Sequence, residues 1–173
     1  MLTLESLLLW PLIGAVCTQL GASPETREAR EAIRAYVLEV NPSFPYPDDA
    51  ANLLVKIEAE GGPPATLFAA LIKLESRWGA ALKRHPWNLT QITQYNQRKL
   101  HGRLLQGWAE SVRWGAQYFT WNLAGATKPG RDVQDVYFVA LARYNDGPPG
   151  PRTPKGRRYA RVVLRFYDEA FGI

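Results

Sequence analysis

Glu75 is the residue of this chain best placed to do chemistry. Phe68, Leu71 and Ile72 recur at helical spacing as an apolar stripe, and Glu75 falls seven residues after Phe68 and three after Ile72, so it continues that stripe. A carboxylate facing a core or a cleft is costly unless it is paired or protonated. Burial favours the neutral acid, which is the form able to protonate a leaving oxygen at neutral pH, as cleavage of a glycosidic bond requires. The plain alternative is a glutamate at the stripe's edge that reaches water or pairs with Lys73 or Arg77. Trp78, Trp87 and Tyr95 flank the same region; aromatic faces pack well against sugar rings, and tryptophan serves as readily in a core.

Other chemistries have less to stand on. Cys17, His85 and His101 make a poor metal kit and fit no ligand spacing, so neither a metal nor a cofactor is expected. A single cysteine excludes an intramolecular disulfide. The net charge of +5 over 173 residues favours an anionic partner, bacterial wall among them. Lys and Arg alternate with Glu and Asp instead of clustering, which speaks against a dedicated nucleic-acid face.

The elements that must position Glu75 read as helices throughout, so the expected fold class is all-α. Ser23-Pro24 is an N-cap signal, and Ala29, Ile33, Tyr36, Val37 and Val40 then recur at helical spacing up to Asn41-Pro42. A second helix opens at Asp48 or Asp49 and stops at Gly61-Gly62. Pro63-Pro64 opens the helix that carries Glu75, ending near Trp78-Gly79. Residues 80–106 read as irregular, with a short helix near Leu89. Helices follow from Trp108 to Ala124, from a cap at Asp132, and from Thr153-Pro154 onward, the last with Tyr159, Val162, Val163, Phe166 and Ala170 on its inner face. The division expected is an apolar segment over 1–23, a helical extension over 24–62 and a catalytic domain over 63–173. The apolar run Leu7 to Cys17 is short for a membrane span and reads as a secretory signal or as a buried helix; no basic residue precedes it.

Four segments extend the pattern begun at Glu75-Ser76. They are Asn88-Leu89-Thr90-Gln91-Ile92, the helix around Ser111 to Phe119, Ala140-Leu141-Ala142-Arg143-Tyr144-Asn145-Asp146-Gly147-Pro148, and a closing helix from Tyr159 to Tyr167. In this order, over residues 63–171, the chain resembles the soluble lytic transglycosylases, relatives of goose-type lysozymes. That family shows Glu-Ser, then Gly-Leu-Met-Gln, then an Asn-Ile-containing helix, then Ala-Tyr-Asn-Ala-Gly-Pro. Here Asn88 stands for the glycine, Thr90 for the methionine and Ser111 for the asparagine, while Arg143 and Asp146 replace two alanines.

The resemblance implies a lysozyme-like helical domain that cleaves the bond between N-acetylmuramic acid and N-acetylglucosamine in peptidoglycan. Glu75 would act first as acid and then as base, closing a 1,6-anhydro ring with help from the sugar's acetamido group. Tyr144 would hydrogen-bond and orient Glu75. Ser76, Gln91 and Asn145 would bind sugar amides and hydroxyls, with Trp78 and Trp87 as sugar-stacking candidates. The implied partners are peptidoglycan strands, and beyond them secretion-system or phage tail proteins; the setting is the cell envelope, periplasm or exterior, or a phage virion. Core, turn or helix-end roles remain open for each of these residues. The rival functions are a non-catalytic wall-binding or virion structural protein, and a hydrolytic lysozyme in which Asp146 would activate water as a second carboxylate.

Overall fold

A computed structural model describes residues 27–82 and 87–172. Among them lie seven α-helices and no strand: α1 (Arg27–Val40), α2 (Pro47–Ala59), α3 (Ala65–Ser76), α4 (Gln94–His101), α5 (Trp108–Ala126), α6 (Val133–Asp146) and α7 (Pro154–Phe171), with one 3-10 turn at Gly150–Arg152. The fold is all-α, as expected. The apolar run Leu7–Cys17, the cap at Ser23-Pro24 and His85 lie outside the described residues.

The helix starts follow their sequence signals. Asp132 accepts the backbone N–H of Gln134 at 2.8 Å and caps α6, and Thr153 accepts that of Gly156 at 3.0 Å and caps α7. The short helix in the irregular stretch begins at Gln94 rather than near Leu89, because Thr93 supplies its cap by accepting the Asn96 N–H at 3.2 Å. The inner face of α7 is centred on Gly156, Ala160, Val163 and Tyr167. Tyr159, Val162 and Phe166 flank that line half-buried, and Ala170 is exposed, so the apolar stripe lies one position away from the expected one.

α3 is the axis of the molecule. Every residue from Ala65 to Ile72 is buried, so this helix is apolar all round and needs neighbours on every side. It packs against α1, α2 and α7; α6 in turn packs against both α5 and α7. The helices before and after Gly62 share one core, in which Ile33, Val37 and Leu54 join Phe68, Leu71, Phe119, Leu141 and Val163. The α6–α7 crossing is close because two glycines permit it: a Cβ at Gly150 would lie 2.0 Å from the Ala142 carbonyl oxygen, and one at Gly156 would lie 2.3 Å from that of Gly150. This contact fixes the end of α6, with Tyr144 and Asn145, against the start of α7, with Tyr159. No described helix is long and apolar enough to cross a membrane.

Candidate active site

α3 stops immediately after Glu75. Arg77 and Trp78 both adopt left-handed backbone angles, φ 51° and 53°, and the Arg77 N–H closes the last turn on the Lys73 carbonyl at 2.9 Å. Glu75 is therefore held in a final helical turn, half-buried, with its carboxyl at the wall of a cleft of about 220 Å³. The opposite wall is the loop Thr90 to Thr93 with Asn96, and the remaining sides come from Tyr118, Tyr144, Asn145 and Gly147. Glu75 is the one carboxylate among these lining residues.

Burial raises the Glu75 pKa above its ordinary value, and the hydroxyl of Tyr159, which donates to Oε1, opposes that rise less strongly. The carbonyl end of α3 acts in the same direction as burial, since a helix C-terminus disfavours negative charge. Tyr144 and Tyr159 are themselves held as neutral phenols: burial first and the Glu75 charge second push both well above the usual tyrosine range. Their rings stack at 6.5 Å and 21°, and Tyr118 and Phe119 pack on Tyr144 at 5.2 and 5.9 Å. An aromatic layer thus underlies the carboxyl, keeping water from one side of it and supplying a fixed proton donor on one oxygen.

The partner of Glu75 differs from the expectation. Tyr144 lines the cleft, yet its hydroxyl donates to the backbone carbonyl of Thr90 at 3.0 Å, and the phenol on Glu75 belongs to Tyr159, 84 residues further along the chain. Tyr144 therefore anchors the facing loop, and Tyr159 positions the acid.

That loop is held together by Asn88, Thr90 and Ser111. The Thr90 hydroxyl donates to the Ser111 carbonyl at 2.9 Å, and the Thr90 N–H donates to the Ser111 hydroxyl at 3.2 Å. The Asn88 side chain spans the loop, its amide donating to the Ile92 carbonyl at 3.0 Å while its oxygen accepts the Ile92 N–H at 3.1 Å. Ser111 also donates to Asn88 at 3.4 Å, and Gln97 donates to the Ile92 carbonyl at 2.7 Å. Asn88, Thr90 and Ser111 are thus one mutually bonded set, not three separate losses. Asn88 is not in the left-handed region; Gln91 is, at φ 55°, exposed at the rim of the cleft. A left-handed non-glycine costs of order 1–2 kcal/mol and persists only where its surroundings over-determine it, as the Asn88–Ile92 clasp does here. Gly115 of α5 lets the loop approach, for a Cβ there would lie 2.5 Å from Thr90 Cγ2.

Of the residues expected from the sequence, Glu75, Tyr144, Gln91 and Asn145 converge on the cleft. Asn145 lines the cleft, and its Oδ1 is buried with no hydrogen-bond partner. Three others do not converge. Ser76 is fully buried, donating to the Ile72 carbonyl and accepting the Gly79 N–H, both at 3.3 Å, which makes it a helix-end residue. Trp78 is also fully buried, edge-on to Phe44 at 5.7 Å, because the left-handed turn after Ser76 rotates it inward. Trp87 is half-exposed but lines neighbouring grooves, with Asn88 and Leu104 on one side and Tyr46 on the other. Asp146 also stands outside the cleft; it accepts the Thr153 hydroxyl at 2.6 Å and lies 3.7 Å from the Lys155 ammonium.

Tyr159, Thr90, Tyr118 and Asn96 are the site residues that sequence reasoning missed. A tyrosine at the edge of a helix's apolar face carries no signal that separates it from a core tyrosine. Among the described residues no group of three His, Cys, Asp or Glu could hold a metal ion. No protein-family model, curated protein or solved structure matches the chain.

Proposed function

We propose that this chain is a peptidoglycan-cleaving enzyme of the lytic transglycosylase kind, with a lysozyme-like helical domain and Glu75 as its acid and base. The observation that carries the reading is a lone half-buried carboxyl in a cleft, with its pKa raised by burial and one oxygen held by a neutral phenol. A pKa raised by burial favours the protonated acid, the form that can give its proton to the glycosidic oxygen between N-acetylmuramic acid and N-acetylglucosamine. The Tyr159 bond occupies Oε1 and leaves Oε2 for the substrate.

As the glycosidic bond breaks, positive charge develops at the muramic ring, and the ring's own acetamido carbonyl stabilises it. The Glu75 carboxylate, now the base, takes the proton of the 6-hydroxyl, whose oxygen closes on the anomeric carbon. The proton returns to Glu75 and no water is consumed. An inverting hydrolase would need a second carboxylate ~6.5–9.5 Å away to activate water. Asp146 was the residue for that role, and its engagement with Thr153 and Lys155 argues against it. The unpaired Asn145 oxygen suits an acetamido N–H, and Gln91 at the rim suits hydroxyls. The setting that follows is bacterial wall, met from the envelope or from a phage particle.

Digestion of purified peptidoglycan tests the reading. The chain should release soluble muropeptides, and Glu75→Gln should release them at least ~10²-fold more slowly while keeping its fold, since a general acid contributes ~10²–10⁴-fold. No release by the parent chain, or equal release by the variant, contradicts it.

A further inference from the structure

Across the Gly147–Pro149 turn from the cleft lies a second concavity of about 440 Å³ with a different character. Lys128, Arg131, Arg143 and Arg152 line it, with Pro148 and Pro149 forming part of its wall, and no carboxylate is among its lining residues. Among the described residues no ion pair joins any of the four cations to an acid. Two acids neighbouring these residues in sequence are engaged elsewhere: Asp146 with Thr153 and Lys155, and Asp132 in capping α6. Clustered like charges repel, and a chain gains nothing in stability from gathering four of them.

The helix C-terminus nearby accounts for one. The Arg131 guanidinium donates to the Ala126 carbonyl at the end of α5, where a cation is favoured. It does not account for Arg143. Its Nε is buried with no hydrogen-bond partner. Its guanidinium lies so close to α5 that a Cβ on Gly125 would come within 2.8 Å of Nη1. A buried donor left unpaired costs folding energy, and an absent ligand is one physical reason for a native chain to carry one.

We propose that this pocket binds a phosphate group. Guanidinium forks match phosphate oxygens in pairs, and a terminal phosphate brings three oxygens and nearly two charges where a carboxylate brings two oxygens and one charge. Four uncompensated cations fit the larger demand. Pro148, Pro149 and Pro151 in its wall fix three φ angles of the surrounding turn. The group could be the free ion or the phosphomonoester end of a larger molecule. The site does not involve Glu75, so it stands or falls apart from the cleavage reaction.

Nuclear magnetic resonance titration of the full chain tests it, reading the amides of Lys128, Arg131, Arg143 and Arg152. Inorganic phosphate should shift these resonances saturably. Arg143→Ala, and Arg152→Ala on the exposed rim where folding is not at risk, should each weaken binding by about tenfold or more, as expected for loss of a charge-assisted bond. Glycerol 3-phosphate that binds about tenfold tighter than inorganic phosphate assigns the site to a phosphomonoester, and equal or weaker binding assigns it to the free ion. Acetate shifting the same resonances at equal concentration would overturn the proposal in favour of a general anion site. No shift with phosphate, or undiminished binding in both variants, would overturn it outright.

Discussion

Tyr159→Phe separates the roles of the two buried phenols. The substitution removes the hydroxyl that donates to Glu75 Oε1 and keeps the ring stacked on Tyr144. A hydrogen bond to a charged group contributes roughly 1.5–3 kcal/mol, and a bond to the neutral acid less, so the ionised form of Glu75 loses more than the protonated form. Losing that bond therefore raises the pKa further, in the direction burial already drives it. Activity that needs protonated Glu75 falls as pH rises through that pKa. The alkaline limb of the rate profile should accordingly move to higher pH, by roughly one unit for each ~1.4 kcal/mol of differential stabilisation lost. The rate at the optimum should fall by about tenfold, because Oε2 is less firmly aimed. Tyr144→Phe is the control. Its hydroxyl serves the Thr90 carbonyl, so the variant should lose ~1–3 kcal/mol of stability while its alkaline limb stays near that of the parent. The assay is the rate of muropeptide release from about pH 4 to about pH 9 for the three proteins. A Tyr159→Phe limb that stays put or moves to lower pH refutes the reasoning, as does a Tyr144→Phe limb that moves as far as that of Tyr159→Phe.

Three stability measurements follow from the same geometry. Glu75 has a folded pKa above its unfolded one, so the cost of ionising it in the fold is absent below the ordinary carboxylate range and complete above the raised value; Glu75→Gln should therefore melt at a higher temperature than the parent near neutrality, with the gain vanishing in acid. Gln91→Gly should relieve the left-handed backbone and add about 1 kcal/mol to stability while weakening substrate binding, which thermal melts and wall-binding assays can read together. Gly115→Ala should lose ~1–3 kcal/mol in a denaturant titration, although alanine ordinarily favours a helix interior, because its methyl would meet Thr90.

The helical frame was legible because it is written locally. The caps at Asp132 and Thr153, the prolines before α3 and the apolar periodicity of α3 each act within a few residues. Glu75 was legible for the same reason, as a carboxylate on an apolar stripe. What was not legible depends on contacts across the fold. Tyr159 meets Glu75 only after α7 docks on α3, and its place on an amphipathic face is equally that of a core residue. Asn88, Thr90 and Ser111 read singly as departures, and only their meeting makes them a clasp. Trp78 read as a sugar-stacking candidate because periodicity does not reveal the two left-handed residues that turn it into the core. The partner of Tyr144 was misassigned because tyrosines near one acid are interchangeable in sequence, and backbone distances choose between them.

The masses of the products test the central claim most directly. Peptidoglycan digested to completion by the native chain and resolved by mass spectrometry should give disaccharide-peptides lighter by one water than simple hydrolysis products, since the 6-hydroxyl and not water attacks the anomeric carbon. The same species should be missing from digests with Glu75→Gln. Products carrying the full mass of hydrolysis would contradict the single-carboxylate mechanism, and anhydro products formed equally well by Glu75→Gln would remove Glu75 from the chemistry.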